Sequence, residues 1–304
     1  MSNITRRTFF AAAAAVPAFA AKGNKIRFGG PVFLKSEDPA ELAREHRRLG
    51  YSAAYCPAAD VKDTARCRAI EKAFAAEDVA IAEVGAWRNM LAPDPAERKA
   101  NLEYVIKRMA LAEEVGARCC VDIAGSYHRD IWYAPHPENF SPKFFDETVE
   151  NCRAVIDAVK PTRAKFAIEA MGWAIPSTPD EYVKLIRAVD RDAFGCHVDI
   201  ANTVCSPKLI FNNADLIRET FSKLAPWIVS CHAKDLAWNH EFNVHFVEVV
   251  PGTGDIDYSV YLTELAKLET DAPLMMEHLK TAGEYAQGAK YIMGVAKENG
   301  VGLF

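Results

Sequence analysis

The sequence has no surplus of basic residues: 36 Lys and Arg face 41 Asp and Glu, a formal charge of −5. A chain that grips a phosphate backbone needs a basic footprint, so general nucleic-acid binding is excluded as its main role. It has no P-loop and no complete GxGxxG turn. Gly252-Thr253-Gly254 lacks the remaining glycines of a dinucleotide cradle, and a nicotinamide cofactor is not expected. None of the eight cysteines forms a CxxC pair, which removes the zinc-ribbon and dithiol-redox readings. No apolar run reaches the roughly 20 residues of a membrane-spanning helix. Linkers, low-complexity tracts and short-period repeats are missing too, so nothing divides the chain into separate units.

What is present is half apolar and long enough, at 304 residues, for one α/β barrel with extensions. The first twenty residues stand apart. They hold no acid, an Arg6-Arg7 pair, Phe9, Phe10 and an alanine-rich run closing on Ala18-Phe19-Ala20. A positive start, a short apolar stretch and a small-x-small ending read as an export signal over residues 1–20, of twin-arginine type, with a periplasmic destination. The remainder, residues 25–304, reads as the folded domain. Because the twin-arginine pathway carries chains already folded in a reducing compartment, the cysteines read as small buried core residues rather than as disulfide partners.

Along that domain, short β-branched or apolar runs alternate with longer stretches of helical period, the pattern of a parallel sheet with crossover helices. Strands are expected at Ile26–Phe28, Ala53–Cys56, Ala80–Val84, Cys119–Ile123, Lys165–Ala170, Gly195–Ile200, Ile228–Ala233 and Leu274–His278. Helices are expected between them at Pro39–Leu49, Ala96–Val115, Phe144–Val159, Glu181–Val189, Ala214–Leu224, Tyr258–Leu268 and Gly283–Lys297. Eight strands with right-handed crossovers argue for an α/β fold of one closed (β/α)8 TIM barrel, with a doubly wound open sheet as the alternative. The long connection Ala237–Asp255 is expected at the mouth.

Functional residues of such barrels stand at the carboxyl ends of the strands. Here the fifth strand ends in Glu169, the sixth in Asp199, the seventh in His232 and the eighth in Glu277. Three carboxylates and one imidazole on one rim repel one another without a compensating cation, and a divalent ion is the simplest relief. Three oxygens and one nitrogen suit Mn²⁺, Mg²⁺ or Co²⁺, with Zn²⁺ the less favoured choice. Strand alternation puts His197 beside Asp199 and Lys234 beside His232; Lys234 can bind a hydroxyl or the enediolate, and His197 can touch substrate, donate to a carboxylate behind the site, or lie buried one layer down. Arg88, His128, Trp132 and Trp173 follow the third, fourth and fifth strands and are candidates to line a sugar pocket. Asp235, Asp255 and Asp257 read as structural, in turns and at a helix start.

Val198-Asp199, His232-Ala233-Lys234-Asp235, Pro251-Gly252-Thr253-Gly254-Asp255-Ile256-Asp257 and Met276-Glu277-His278 together resemble the xylose isomerase-like sugar isomerase/epimerase superfamily. The resemblance implies a metal held by Glu169, Asp199, His232 and Glu277. It also implies that Glu169 and Glu277 form the acid/base pair, and that Asn202 stands where ketose 3-epimerases place a substrate-binding histidine. The implied activity is isomerisation or epimerisation of a small free sugar, keto-sugar or glycoside through an enediolate. The alternative is a lyase or dehydratase acting on a keto-sugar or inosose-like substrate through the same enolate. A DNA-repair endonuclease of the related barrel family is a third reading, disfavoured by the acidic charge and the scarcity of histidines. Partners beyond the sugar reduce to a possible homo-oligomer, with no nucleic acid and no stable membrane span.

Overall fold

A computed structural model describes residues 23–304; the export segment read at residues 1–20 lies outside them. Eight parallel strands form a closed ring: β1 Phe28–Gly29, β2 Ala53–Tyr55, β3 Ala80–Gly85, β4 Cys119–Asp122, β5 Lys165–Glu169, β6 Phe194–Asp199, β7 Ile228–Ala233 and β8 Leu274–Met276. The last strand closes the barrel by pairing with both β7 and β1. Each stave is followed by a helix: α1 Pro39–Arg48, α2 Thr64–Ala76, α3 Pro95–Val115, α4 Pro142–Val159, α5 Pro179–Val189, α6 Asn213–Leu224, α7 Tyr258–Ala266 and α8 Ala282–Glu298. The chain is therefore a single (β/α)8 barrel, as the alternating pattern implied.

Local chemistry starts these helices. Asp38, Asp63, Asp94, Ser141, Thr178, Asp257 and Thr281 each accept a backbone N–H of the first turn of the helix they precede. Pro39, Pro95, Pro142 and Pro179 open helices where the missing amide hydrogen costs nothing. Apolar periodicity does not register α2. Its buried stripe is only Cys67, Ile70 and Phe74, set among alanines and charges, too thin to stand out.

The first expected strand also divides in two. Lys25–Ile26 pairs in parallel with Gly302–Leu303, and only Phe28–Gly29 is a stave. Gly29 is required there, since a Cβ would come within 2.0 Å of Ala53 O. Large side chains such as Phe28, Phe74, Phe144 and Phe166 fill the layer between sheet and helices. Inside the ring the packing is small, with Ala53, Ala82 and Met275 in one cluster and Cys119, Val121 and Ala167 in another. No disulfide joins any of the eight cysteines, and six are buried.

The long connection after β7 is ordered by one carboxylate. Asp235–Trp238 pairs antiparallel with Phe246–Val249 as a hairpin at the mouth. Asp235 then gathers the Gly-rich turn behind it: Oδ2 accepts from Gly252 N at 2.8 Å and Gly254 N at 3.0 Å, and Oδ1 from Ile256 N at 3.0 Å and Leu236 N at 2.9 Å. This is the structural meaning of the PGTGDID segment. Asp235→Ala strands four backbone donors, and urea unfolding should show a loss of about 3 kcal/mol. A loss under about 1 kcal/mol would mean the turn is held without it.

Candidate metal centre

Glu169 closes β5, Asp199 closes β6, His232 is the penultimate residue of β7 and Glu277 follows β8. One atom from each lies within 4.8 Å of the others. His232 Nδ1 is 2.8 Å from Glu169 Oε1, 2.9 Å from Glu277 Oε1 and 3.6 Å from Asp199 Oδ2. Lys234, two residues on and so on the same face of the chain, brings Nζ to 2.7 Å from Glu277 Oε1 and 2.9 Å from Asp199 Oδ2. Two tyrosines of α7 fix this end of β7, Tyr261 donating to His232 O and Tyr258 to Lys234 O, both at 2.9 Å.

The remaining polar atoms turn the donors inward. Asp199 Oδ1 is occupied by Asn202 N at 3.0 Å, capping the short helix Ile200–Thr203, which leaves Oδ2 for the centre. Asn202 Nδ2 donates to Glu169 Oε1 at 3.1 Å, and its Oδ1 accepts from Lys234 Nζ at 3.1 Å. Asp199 Oδ2 and Glu277 Oε1 are buried and turned to the same point, yet neither receives an aligned hydrogen bond. Two under-satisfied carboxylate oxygens beside a third carboxylate and an imidazole nitrogen fit a hard divalent cation.

Charge explains the proton affinities. Burial pushes the Glu169 carboxyl above its ordinary value despite His232 and Lys234. Burial acts the same way on Glu277, but His232 and Lys234 outweigh it and hold Glu277 down to about 2. Asp199 is also depressed, because Lys234 and His232 overcome its burial. His232 is the mirror case. Burial lowers its basicity, but Glu277, Glu83 and Glu169 raise it well above the usual imidazole value.

The other residues singled out by sequence are spread more widely. Lys234 and Asn202 stand among the four donors, as described. His197 takes the deeper of its expected places. It is wholly buried beneath the site, its ring 4.2 Å from that of His232 and its Nε2 on Glu83 Oε1 at 3.0 Å. The Arg88 guanidinium lies over the Tyr104 ring of α3 at 4.4 Å. His128 caps its own loop, Nδ1 accepting from Asp130 N and Ile131 N. Trp173 Nε1 donates to Tyr133 O at 2.7 Å, tying two rim loops together, and Trp132 packs edge-on against Tyr133.

Three residues at the centre were missed. Glu248 reaches His278 Nδ1 at 2.9 Å and approaches Lys234 at 3.7 Å from the second hairpin strand, and no short-range pattern places a hairpin there. Trp87 sits 6.5 Å from the His232 ring with a φ of 43°, a backbone state that sequence does not announce for tryptophan. Glu83 lies inside the barrel because β3 carries a register shift. Ala54 pairs with Ile81 but Tyr55 with Glu83, so Ala82 is an extra residue and strict alternation fails.

The fold and the donor set define a (β/α)8 barrel with a candidate divalent-metal centre at its carboxyl-end mouth. The chain belongs to the xylose isomerase-like TIM barrel family, whose profile matches residues 41–294. No curated protein matches it. Among solved structures it is similar to a xylose isomerase-like TIM barrel protein from Mycobacterium smegmatis in complex with magnesium, at 20% identity and TM-score 0.60 over 86% of this chain and 88% of that one. It is similar also to a 3-keto-D-glucoside 4-epimerase from E. coli, at 14% identity and TM-score 0.66 over 90% and 100%. Endonuclease IV from Thermus thermophilus aligns at 12% identity and TM-score 0.67 over 90% and 99%. At these identities the likeness carries the fold alone.

His232 must give up its Nδ1 proton to ligate a cation, and its raised pKa makes that proton hard to remove. Mn²⁺ affinity, measured by equilibrium dialysis, should therefore fall on acidification by up to about tenfold per pH unit. Affinity that does not change between about pH 6 and pH 8 would remove His232 from the donor set.

Proposed function

We propose that this protein is a metal-dependent sugar isomerase or epimerase that removes a proton next to a carbonyl of a free keto-sugar or glycoside derivative. One observation carries the reading. Glu169 and Glu277 arise three staves apart on an eight-stave ring, nearly across the mouth from each other, and still meet within hydrogen-bond reach of one imidazole nitrogen. Two carboxylates flanking one point can work on opposite faces of a bound sugar.

The cation that Glu169, Asp199, His232 and Glu277 would hold supplies electrostatic stabilisation of the negative charge developing on the sugar oxygen. The rest is done by side chains. One glutamate takes the proton from the carbon beside the carbonyl, and the other returns a proton. Return to the opposite face of the same carbon inverts it, and return to the neighbouring carbon isomerises the sugar. Lys234 presents a buried ammonium next to Glu277 and Asp199, placed to donate to the same developing oxyanion. Asn202 orients Glu169 through its amide. Near-complete burial of Glu169, Asp199, His232 and Lys234 keeps bulk water from quenching the carbanion.

The mouth above them suits a sugar with apolar C–H faces. Every exposed large apolar side chain among the described residues, from Phe33 through Tyr133 and Phe211 to Phe242, lies in a connection leaving the carboxyl end of a stave. The resemblance to a 3-keto-D-glucoside 4-epimerase supports a keto-glycoside as the first substrate to try. Export, as read from residues 1–20, favours an unphosphorylated one. The endonuclease reading has less support, since the donor set holds a single imidazole and the neighbouring His197 is bound to Glu83.

Glu169→Gln and Glu277→Gln should each lower kcat by about 10³-fold or more while the far-UV spectrum is kept. In deuterium oxide the wild type should place solvent label on the carbon beside the carbonyl of free keto-sugars or 3-keto-glycosides. Label gained with loss of water would turn the assignment to a dehydratase. An active Glu277→Gln enzyme would take that residue out of the pair.

A further inference from the structure

We infer that Glu83, one layer beneath the donors, is the positioning residue of the centre: it holds the Nε2–H of His232 and thereby turns Nδ1 toward the cation as the nitrogen that deprotonates to bind it. The inference rests on the metal-centre reading and adds a residue that no motif marks.

The geometry is a chain of hydrogen bonds running down the barrel axis. His232 Nδ1 faces Glu169 and Glu277, while Nε2 lies 3.2 Å from Glu83 Oε2. The other oxygen, Oε1, meets His197 Nε2 at 3.0 Å and accepts from the Ser230 hydroxyl. A carboxylate accepts and does not donate, so Nε2, which faces Glu83, keeps its hydrogen, and Nδ1 is the nitrogen that gives up its proton when a cation sits among Glu169, Asp199 and Glu277. A carboxylate behind a ligating imidazole also makes the outward nitrogen a better donor.

Two distortions of the sheet bring these groups together. In β3 the extra residue Ala82 packs inward with Ala53 and Met275, and Glu83 next to it also points inward. In β7 the register slips once more: Cys196 pairs with Ile228 but His197 with Ser230. Val229, the extra residue, packs by the inward cluster of Cys119, Val121 and Ala167, and Ser230 beside it reaches Glu83. Bulges re-aim side chains at a cost in pairing. Both here serve the same contact. A charged glutamate that is 1% exposed has no packing advantage over an alanine, and its three donors account for its presence.

Glu83, His197 and His232 also lie close enough to hold an ion of their own. Each Glu83 oxygen already meets an imidazole nitrogen at hydrogen-bond distance, which favours the positioning role.

The test uses the full chain and Mn²⁺ as probe. Wild type should bind one equivalent, and Glu83→Gln, whose melting curve reports folding, should bind it about 10- to 100-fold more weakly, with Glu83→Asp falling between. In the Mg²⁺-loaded wild type, ¹⁵N-histidine spectra should show His232 as the Nε2–H tautomer, a readout that needs no variant. Failure of the wild type to bind Mn²⁺ would sink the centre itself. Normal affinity in a folded Glu83→Gln, or an Nδ1–H tautomer, would sink only the role of Glu83. Two equivalents falling to one in Glu83→Gln would make Glu83 a ligand and overturn the inference.

Discussion

Four carboxylates share the interior of one narrow barrel. Glu83, Glu169, Asp199 and Glu277 converge on His232 and Lys234, and even counting His197 beside Glu83 the acids outnumber the groups that can answer them. Burying unbalanced charge at this density costs several kcal/mol per ion unless a partner compensates it. A divalent cation brings the total near neutrality, and that deficit, more than any single distance, is why the mouth reads as a metal centre. The same charges shape the proton affinities of the centre, with His232 held up by its acids and Glu277 held down by its bases.

A closed ring makes such a concentration of charge mechanically possible. Parallel staves present their carboxyl ends on one rim, and because β8 pairs with both neighbours there is no edge through which repulsion can open the sheet. The irregular backbone is placed where charge must be aimed. Register shifts occur in β3 and β7, the staves that carry Glu83 and His232. His278, just after Glu277, takes a φ of 61° and is held by Glu248 of the mouth hairpin, so strain at the rim is secured by a bond to the segment that covers it.

Seven of the eight helices and all eight staves can be read from apolar periodicity, because each buries a stripe that local sequence displays. Glu169, Asp199, His232 and Glu277 can be picked out for a related reason: each stands at a strand end, so the topology alone puts them on one rim. What escapes depends on long-range or irregular geometry. Glu83 escapes because period-two counting from Ala82 sends it outward. The Arg88 contact with the Tyr104 ring is another long-range feature that nothing local announces. His197 follows alternation correctly and still lies a layer too deep for substrate, since alternation gives the face and not the depth. Asp235 is half legible. Its neighbourhood of glycines marks a turn, but its four backbone partners come from residues as far on as Ile256.

This two-layer arrangement separates tasks that would otherwise conflict. In the proposed reaction the upper layer changes protonation, so the partners of Glu169 and Glu277 must allow each to gain and lose a proton. Besides the His232 Nδ1 they share, their support is an Asn202 amide for Glu169 and the ammonium of Lys234 for Glu277. The lower layer has no such duty, and Glu83 is saturated by two imidazoles and a hydroxyl. Rigidity is thereby lodged under His232, a ligand that shuttles no proton in the proposed reaction, while the two glutamates trade theirs. Catalytic barrels that differ in the sugar they take can then vary the rim loops, here the apolar connections after β1, β4, β6 and β7, without disturbing the charge balance beneath.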